Sequence, residues 1–425
     1  MKTKLLIFGI TGDLSRRKLL PALDAIVKSD AVNQLEIIGV SRREVDTNEL
    51  LASQSSLVDL TSIFTMDLAN LDDYRRLRDS VSPSDDEQLL VYLSVPPSAS
   101  TQIVDFMGQA GLNNPRVKIL FEKPFGVDLD SAKDMIERTA RYYKEEQLYR
   151  IDHYLAKEMA QNIVAFRGGN ALFGNIWNNN FVESIEVIAS EKIGVEGRGL
   201  FYEQTGALRD LVQGHLMQLL ALTLMDIPQD FDWKELPELR LKALNQLKPA
   251  DPTKAYRAQY EGYDDEVDNP GSQTETFVSL QLESDQPRWI DVPIRLTTGK
   301  ALDKKTTEVR IHLKKLHEAQ QNTVVFRIQP NEGIDIELFT KRPGYDREFE
   351  TRHLELTFPE DTQLPDAYEQ VIVDATRSKK SLFTSSDEVL RSWEILEPLQ
   401  RSWDMETEPV GTYKKGSSIE AVTKR

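Results

Sequence analysis

Apolar runs recur along the first third of the chain at the spacing of a strand–helix–strand unit. Leu5–Phe8, Leu35–Val40, Ser62–Thr65, Leu89–Val95 and Val117–Phe121 are each short, apolar and bounded by Gly, Pro or polar residues. Such runs, without in-and-out alternation, read as strands buried on both faces. Helical stretches lie between them, including 130–146. Strands alternating with helices predict a parallel, doubly wound sheet with right-handed crossovers.

From Gln161 the pattern changes. Val182–Ala189 alternates as a half-buried strand, and further strands are expected at 275–282, 309–313, 323–329 and 335–339. Few helices separate them, which predicts a mostly antiparallel sheet in an α+β domain. Thr205–Asp226 reads as one long apolar-periodic helix, Asp251–Pro270 as a long polar loop, and the tail from Gly411 as a mobile polar segment. The domains expected are therefore 1–150 and a larger 151–425, two domains being natural for 425 residues.

Composition narrows the function. The chain is 40% hydrophobic and 28% charged, with a net charge of −17. Nucleic-acid binding is disfavoured by that charge, and a basic cluster in so acidic a chain becomes informative. With no cysteine there is no disulfide, thiolate metal site or cysteine nucleophile. No apolar run reaches the length of a membrane span and no signal peptide is evident, so a cytoplasmic protein is expected.

After the first strand comes Gly9–Leu14 (G-I-T-G-D-L), followed by Ser15 and a helix. A glycine turn between strand and helix lets backbone approach a pyrophosphate, which the helix N-terminus then favours. Ser15 stands where the dinucleotide fingerprint has its third small residue. The second strand ends at Ser41-Arg42-Arg43-Glu44. An acid there would take a ribose 2′-hydroxyl, whereas arginine accommodates a 2′-phosphate. NADP is thus expected, with NAD as the weaker alternative because of Glu44. A plain tight turn and two solvated arginines are the bland alternatives.

The densest polar cluster is Arg150–Glu158 (R-I-D-H-Y-L-A-K-E). With a helix entered near Tyr154, His153 and Lys157 would lie four apart on one face and suit a phosphate monoester. His215, one of five histidines, falls in the long apolar helix. It is a candidate base if a carboxylate orients its other nitrogen, and both Asp152 and Asp210 are available. Lys123-Pro124, Pro96-Pro97 and Asp152 all follow strands, where open α/β sheets bind ligands. Lys123 is placed to touch cofactor and substrate, and Pro124 is a candidate cis proline.

Taken together, these segments resemble the glucose-6-phosphate dehydrogenase family over nearly the whole chain. Further markers are Glu122–Gly126 (E-K-P-F-G), Glu196–Gly199, Arg209–His215, Arg295–Lys300 (R-x-x-x-G-K), Gln329–Glu332 (Q-P-N-E) and Leu364–Glu369 (L-P-D-A-Y-E). The resemblance implies a Rossmann domain followed by an α+β domain used for dimerisation. It implies oxidation of glucose 6-phosphate at C1 to the 6-phosphogluconolactone, with hydride transfer to NADP and no metal. By position, His215 matches the general base and Asp152 the carboxylate that stabilises it. His153, Tyr154 and Lys157 match the phosphate site, and Lys123, Glu191, Asp210, Lys300, Lys305 and Gln329 match other substrate contacts. Gly9, Thr11, Gly12, Asp13, Leu14 and Arg42 match the NADP site, together with backbone near Ser94 and Pro97. Self-association as a dimer or tetramer is implied as well.

Three features depart from the family pattern. The chain is shorter, with trimmed segments between the second and fourth strands. Ala156 stands where glycine is usual, and Gly214 where asparagine usually precedes the base. Glycine in a helix costs on the order of 1 kcal/mol. Alternatives are a dehydrogenase of a related hexose phosphate and a non-catalytic NADP-binding paralogue; the retention of His215 and Asp152 weighs against the second.

Overall fold

The computed structural model describes residues 1–316, 320–359 and 362–424. They form two compact units, one of Met1–Ala156 with Pro365–Val389, the other of Lys157–Leu364 with Leu390–Arg425. The chain therefore returns to the first unit late, instead of crossing once near residue 150.

The first unit is built on a seven-stranded sheet. Its strands are β1 (Lys2–Phe8), β2 (Leu35–Ser41), β3 (Thr61–Thr65), β4 (Glu87–Leu93), β5 (Val117–Phe121), β6 (Leu148–Ile151) and, from the returning segment, β15 (Phe383–Thr384). The order is β15-β6-β5-β4-β1-β2-β3. β1 to β6 run parallel and β15 pairs antiparallel with β6. Leu5, Ile7, Leu90, Tyr92 and Leu120 are fully buried among them, as their continuous apolar runs require. The expected strands are present. The helix expected at 130–146 ends at Ala140, and β6 follows a short helical turn, Glu145–Gln147.

The returning segment is held by buried polar groups. Its helix, Ala367–Thr376, packs on helix Leu20–Lys28. Gln88 Nε2 donates to the Thr376 carbonyl at 2.8 Å, and Lys118 Nζ to the Ala375 carbonyl at 2.7 Å. These side chains bond carbonyls in the last turn of the helix, and the Ala375 carbonyl also accepts the Ser378 N–H at 3.2 Å.

The second unit holds a nine-stranded sheet. Its strands are β7 (Val182–Ser190), β8 (Ala255–Tyr260), β9 (Phe277–Leu282), β10 (Ile294–Gly299), β11 (Thr306–Leu313), β12 (Thr323–Gln329), β13 (Gly333–Lys341), β14 (Phe349–Thr357) and β16 (Gly411–Tyr413). The order is β14-β13-β12-β11-β7-β10-β9-β8-β16, antiparallel except at β7–β10 and β8–β16. Two expectations change here. The polar stretch 251–270 contains β8, and the tail is ordered as the edge strand β16 with a short helix, Ile419–Thr423. The helix expected over 205–226 is three pieces: Gly199–Ala207, a π-helical segment Leu208–Leu216, and Met217–Leu224. Among the described residues no helix is long and apolar enough to cross a membrane.

Candidate active site

In the first unit the end of β1 turns sharply at Gly9, where φ is +81°. A Cβ there would lie 2.2 Å from the Ser94 carbonyl oxygen, so both the conformation and the space demand glycine. The Gly12 N–H closes the turn on the Gly9 carbonyl at 2.9 Å. Ser15, fully buried, donates to the same carbonyl at 2.9 Å and is hydrogen-bonded to Ser94 Oγ at 2.9 Å. The departure at Ser15 thus ties the turn to the end of β4. A cavity of about 640 Å³ opens over this turn, lined by Gly9, Thr11, Gly12, Arg42, Arg43 and Ser94 among others. Bare backbone at a strand end, next to two exposed arginines at the end of β2, suits the phosphates of a dinucleotide. Pro96 lines the cavity, while Pro97 opens the next helix. Asp13 points to solvent in an ion pair with Arg17, and Leu14 precedes the π-helical turn Ser15–Leu19.

β6 delivers Asp152 to a turn. Its Oδ1 accepts the Tyr154 N–H at 3.0 Å, and its carbonyl accepts the Leu155 N–H at 3.1 Å. The side chain mimics a turn of backbone, so the helix cannot begin at Tyr154. It begins at Glu158, with Lys157 as its N-cap. His153 and Lys157 therefore do not share a helix face, contrary to the sequence reading. The His153 ring instead stacks on Tyr368 of the returning segment, centroids 6.3 Å apart and planes 15° apart.

Glu122, ahead of Lys123, was legible only as a motif letter. It accepts a short hydrogen bond from the buried Tyr92 hydroxyl. Desolvation pushes its carboxyl up to about 7; the Asp152 charge adds to this, and Tyr92 and Lys123 oppose it. Burial raises the Tyr368 phenol, and the Glu122 carboxylate it faces adds to this. The Lys123–Pro124 bond is cis, as is Gln329–Pro330.

In the second unit the π-helical segment carries Asp210 and His215, the latter buried. An α-helix would set residues five apart about 140° around the axis. The i→i+5 bonding of a π-helix places them one above the other. Asp210 faces the buried Tyr202, whose phenol burial raises well above its ordinary value. Lys300, at the end of β10, forms an ion pair with Glu191, at the end of β7, and its Nζ lies 5.0 Å from the Tyr202 ring centroid. Asp210, Glu191 and Lys300 are thus brought around Tyr202, which the sequence did not single out. Gln329 donates to Thr307 Oγ1 at 3.1 Å beside β11, and Lys305 is exposed on the loop before it.

Residues 6–162 match the glucose-6-phosphate dehydrogenase NAD binding domain and 164–423 the C-terminal domain of the same enzyme. The chain belongs to the glucose-6-phosphate dehydrogenase family. It is 34% identical to the glucose-6-phosphate 1-dehydrogenase of Borreliella burgdorferi, over 94% of this chain and 91% of that one. The enzyme of Dickeya dadantii is 32% identical, over 97% and 94%. A glucose-6-phosphate dehydrogenase solved in complex with its substrate glucose-6-phosphate superposes with a TM-score of 0.91 at 30% identity, covering 100% of this chain and 97% of that one. The expected two-part architecture, parallel sheet first and mostly antiparallel sheet second, is that of the family.

Proposed function

We propose that this chain oxidises D-glucose 6-phosphate at C1 to 6-phospho-D-glucono-1,5-lactone with NADP as hydride acceptor, the entry step of the pentose phosphate pathway. The observation that carries this is whole-chain membership of the family together with a buried histidine, His215, on a π-helical rod beside Asp210, Glu191 and Lys300. The nicotinamide supplies the hydride acceptor, and the rest is proton and charge management by side chains. His215 takes the C1 hydroxyl proton as the C1 hydride leaves, so the alcohol becomes the lactone carbonyl. Asp152 is assigned to stabilise the imidazolium. His153, Tyr154 and Lys157 are assigned to the phosphate, and Lys123, Glu191, Asp210, Lys300, Lys305 and Gln329 to the sugar.

NADP is favoured over NAD by Arg42 and Arg43 at the mouth of the cavity. The cofactor cradle is assigned to Gly9, Thr11, Gly12 and Ser94, with Asp13, Leu14 and Pro97 flanking it. Self-association is favoured by apolar side chains exposed on the last two strands at one edge, Leu338, Phe349, Leu354 and Leu356. A cytoplasmic location accords with the absence of cysteine. The test is absorbance at the reduced-nicotinamide band with purified protein, NADP or NAD, and a panel of hexose phosphates. Reduction of NADP with glucose 6-phosphate is expected. Turnover of a different hexose phosphate in its place, or none at all, would overturn the assignment.

A further inference from the structure

The rod that carries His215 is fixed at both ends, and the two ends are fixed differently. At its C-terminal end every one of the last four carbonyls has a buried side-chain donor. Arg167 donates to Leu222 at 2.5 Å and to Met225 at 2.6 Å, Trp177 to Thr223 at 2.9 Å, and Trp289 to Leu224 at 2.9 Å. That end is anchored to the protein core.

At the N-terminal end one residue, Glu275, takes two successive N–H groups. Glu275, buried, accepts the Leu208 N–H on Oε1 at 2.9 Å, and its own carbonyl accepts the Ala207 N–H at 2.9 Å. The chain enters at Gly206 with φ +65° and ψ 174°. A Cβ on Gly206 would lie 2.5 Å from Glu275 Oε1, so the glycine leaves room for the carboxylate. Arg209, Arg257, Tyr202 and Tyr263 are charged or titratable groups that also face it.

The next residue, Thr276, ties the same dipeptide to the sugar site. Its carbonyl accepts the Lys300 N–H at 2.9 Å. Tyr413 bonds Thr276 Oγ1 at 3.0 Å and donates to the Lys300 carbonyl at 2.6 Å. Glu275 and Thr276 together set the spacing between the rod of His215 and the strand end of Lys300.

We infer that Glu275 is a positioning residue for the reaction: through Leu208 and Ala207 it holds the start of the π-helical rod in register with Lys300, and so aims His215. This rests on the reading of His215 as the base. Hydride and proton transfer tolerate little misplacement, whereas the phosphate end of the sugar is assigned to residues on other elements. The signature of lost positioning is therefore a fall in kcat with little change in KM.

The experiment compares wild type, Glu275→Ala, Glu275→Gln and Gly206→Ala by steady-state kinetics with glucose 6-phosphate and NADP. The imidazole C2 proton of His215 is followed by NMR and assigned by its loss in His215→Asn. Glu275→Ala is expected to lower kcat by roughly tenfold to a hundredfold with KM within about threefold. Glu275→Gln, which keeps an acceptor for the Leu208 N–H, is expected to restore most of kcat. Gly206→Ala, which displaces the carboxylate, is expected to behave like Glu275→Ala. The His215 signal moves in the two alanine variants while those of His312 and His353, on β11 and β14, do not.

A Glu275→Ala variant with wild-type kcat and an unmoved His215 signal would overturn the inference, as would a glutamine variant as impaired as the alanine one. If wild type does not turn over, the function proposed above falls. The His215 signal then still decides on Glu275: movement in Glu275→Ala upholds its hold on the rod, and an unmoved signal refutes it.

Discussion

Lys300 and Glu191 form an ion pair of unequal burial, the lysine side chain 3% exposed and the carboxylate 32%. Removing either partner leaves the other behind in a very different environment. A buried lysine without its acid is costly, whereas a partly exposed carboxylate without its lysine regains water. Glu191→Gln is therefore expected to destabilise the protein more than Lys300→Met, by about 1–3 kcal/mol in denaturant unfolding. Both should weaken glucose 6-phosphate turnover. Equal stability losses would show that the Tyr202 ring face, not Glu191, sustains the ammonium.

At the cofactor cavity, lined by Arg42, that arginine is the group proposed to discriminate NADP from NAD. A charge-assisted contact to a 2′-phosphate contributes about 1.5–3 kcal/mol. Arg42→Ala should accordingly lower kcat/KM for NADP by roughly tenfold to a hundredfold while changing that for NAD by no more than about threefold. Parallel losses with both cofactors would remove the 2′-phosphate from Arg42.

How much of this was legible in the sequence follows from which side chains face what. β5 was readable to the residue because Val117 to Phe121 are buried throughout, so the run is apolar but for Lys118. β6 was hidden because it is four residues long and contains Arg150, a buried arginine paired with Glu145. β14 was hidden for the opposite reason: nearly all of it is exposed, so it carries Glu350, Arg352 and Glu355 like a loop. β8 lies in a polar stretch because Gln259 is buried on backbone, donating to the Ser272 and Thr274 carbonyls. The candidate site residues could be named from the sequence by type, whereas their local geometry could not. Nothing local announces that Asp152 spends an oxygen on the Tyr154 N–H, which delays the helix to Glu158. Nor does 3.6-residue periodicity reveal a π-helical segment, although that segment decides whether Asp210 and His215 share a face.

Glu122 gives a pH prediction with a definite sign. Its carboxyl is pushed from 4.5 up to about 7, chiefly by desolvation. Between those values the folded state holds a proton that the unfolded state has lost, so stability falls as pH rises from 4.5 to 7 and levels off above. Glu122→Gln keeps an oxygen for the Tyr92 hydroxyl and has no charge to bury. The variant should melt higher than wild type at pH 8, and the gap should close by pH 4. A gap independent of pH would mean that Glu122 ionises normally in the folded protein.

The strongest prediction concerns His215. It is buried, it stands on a rod whose end carbonyls are all capped, and it lies far along the chain from the glycine turn assigned to the dinucleotide. Replacement should then separate chemistry from binding. His215→Asn removes the proton acceptor while keeping a polar side chain of smaller size, and loss of a general base costs typically 10²–10⁴-fold. The expected outcome is a kcat lowered by about 10³-fold, with NADP affinity by fluorescence titration and the thermal midpoint close to wild type. The residual rate should also lose the dependence on pH that an imidazole base imposes near neutrality. Wild-type turnover in His215→Asn would move the base to another residue, and because Asp210 lies on the same face of the rod, Asp210→Asn would be the next variant to measure.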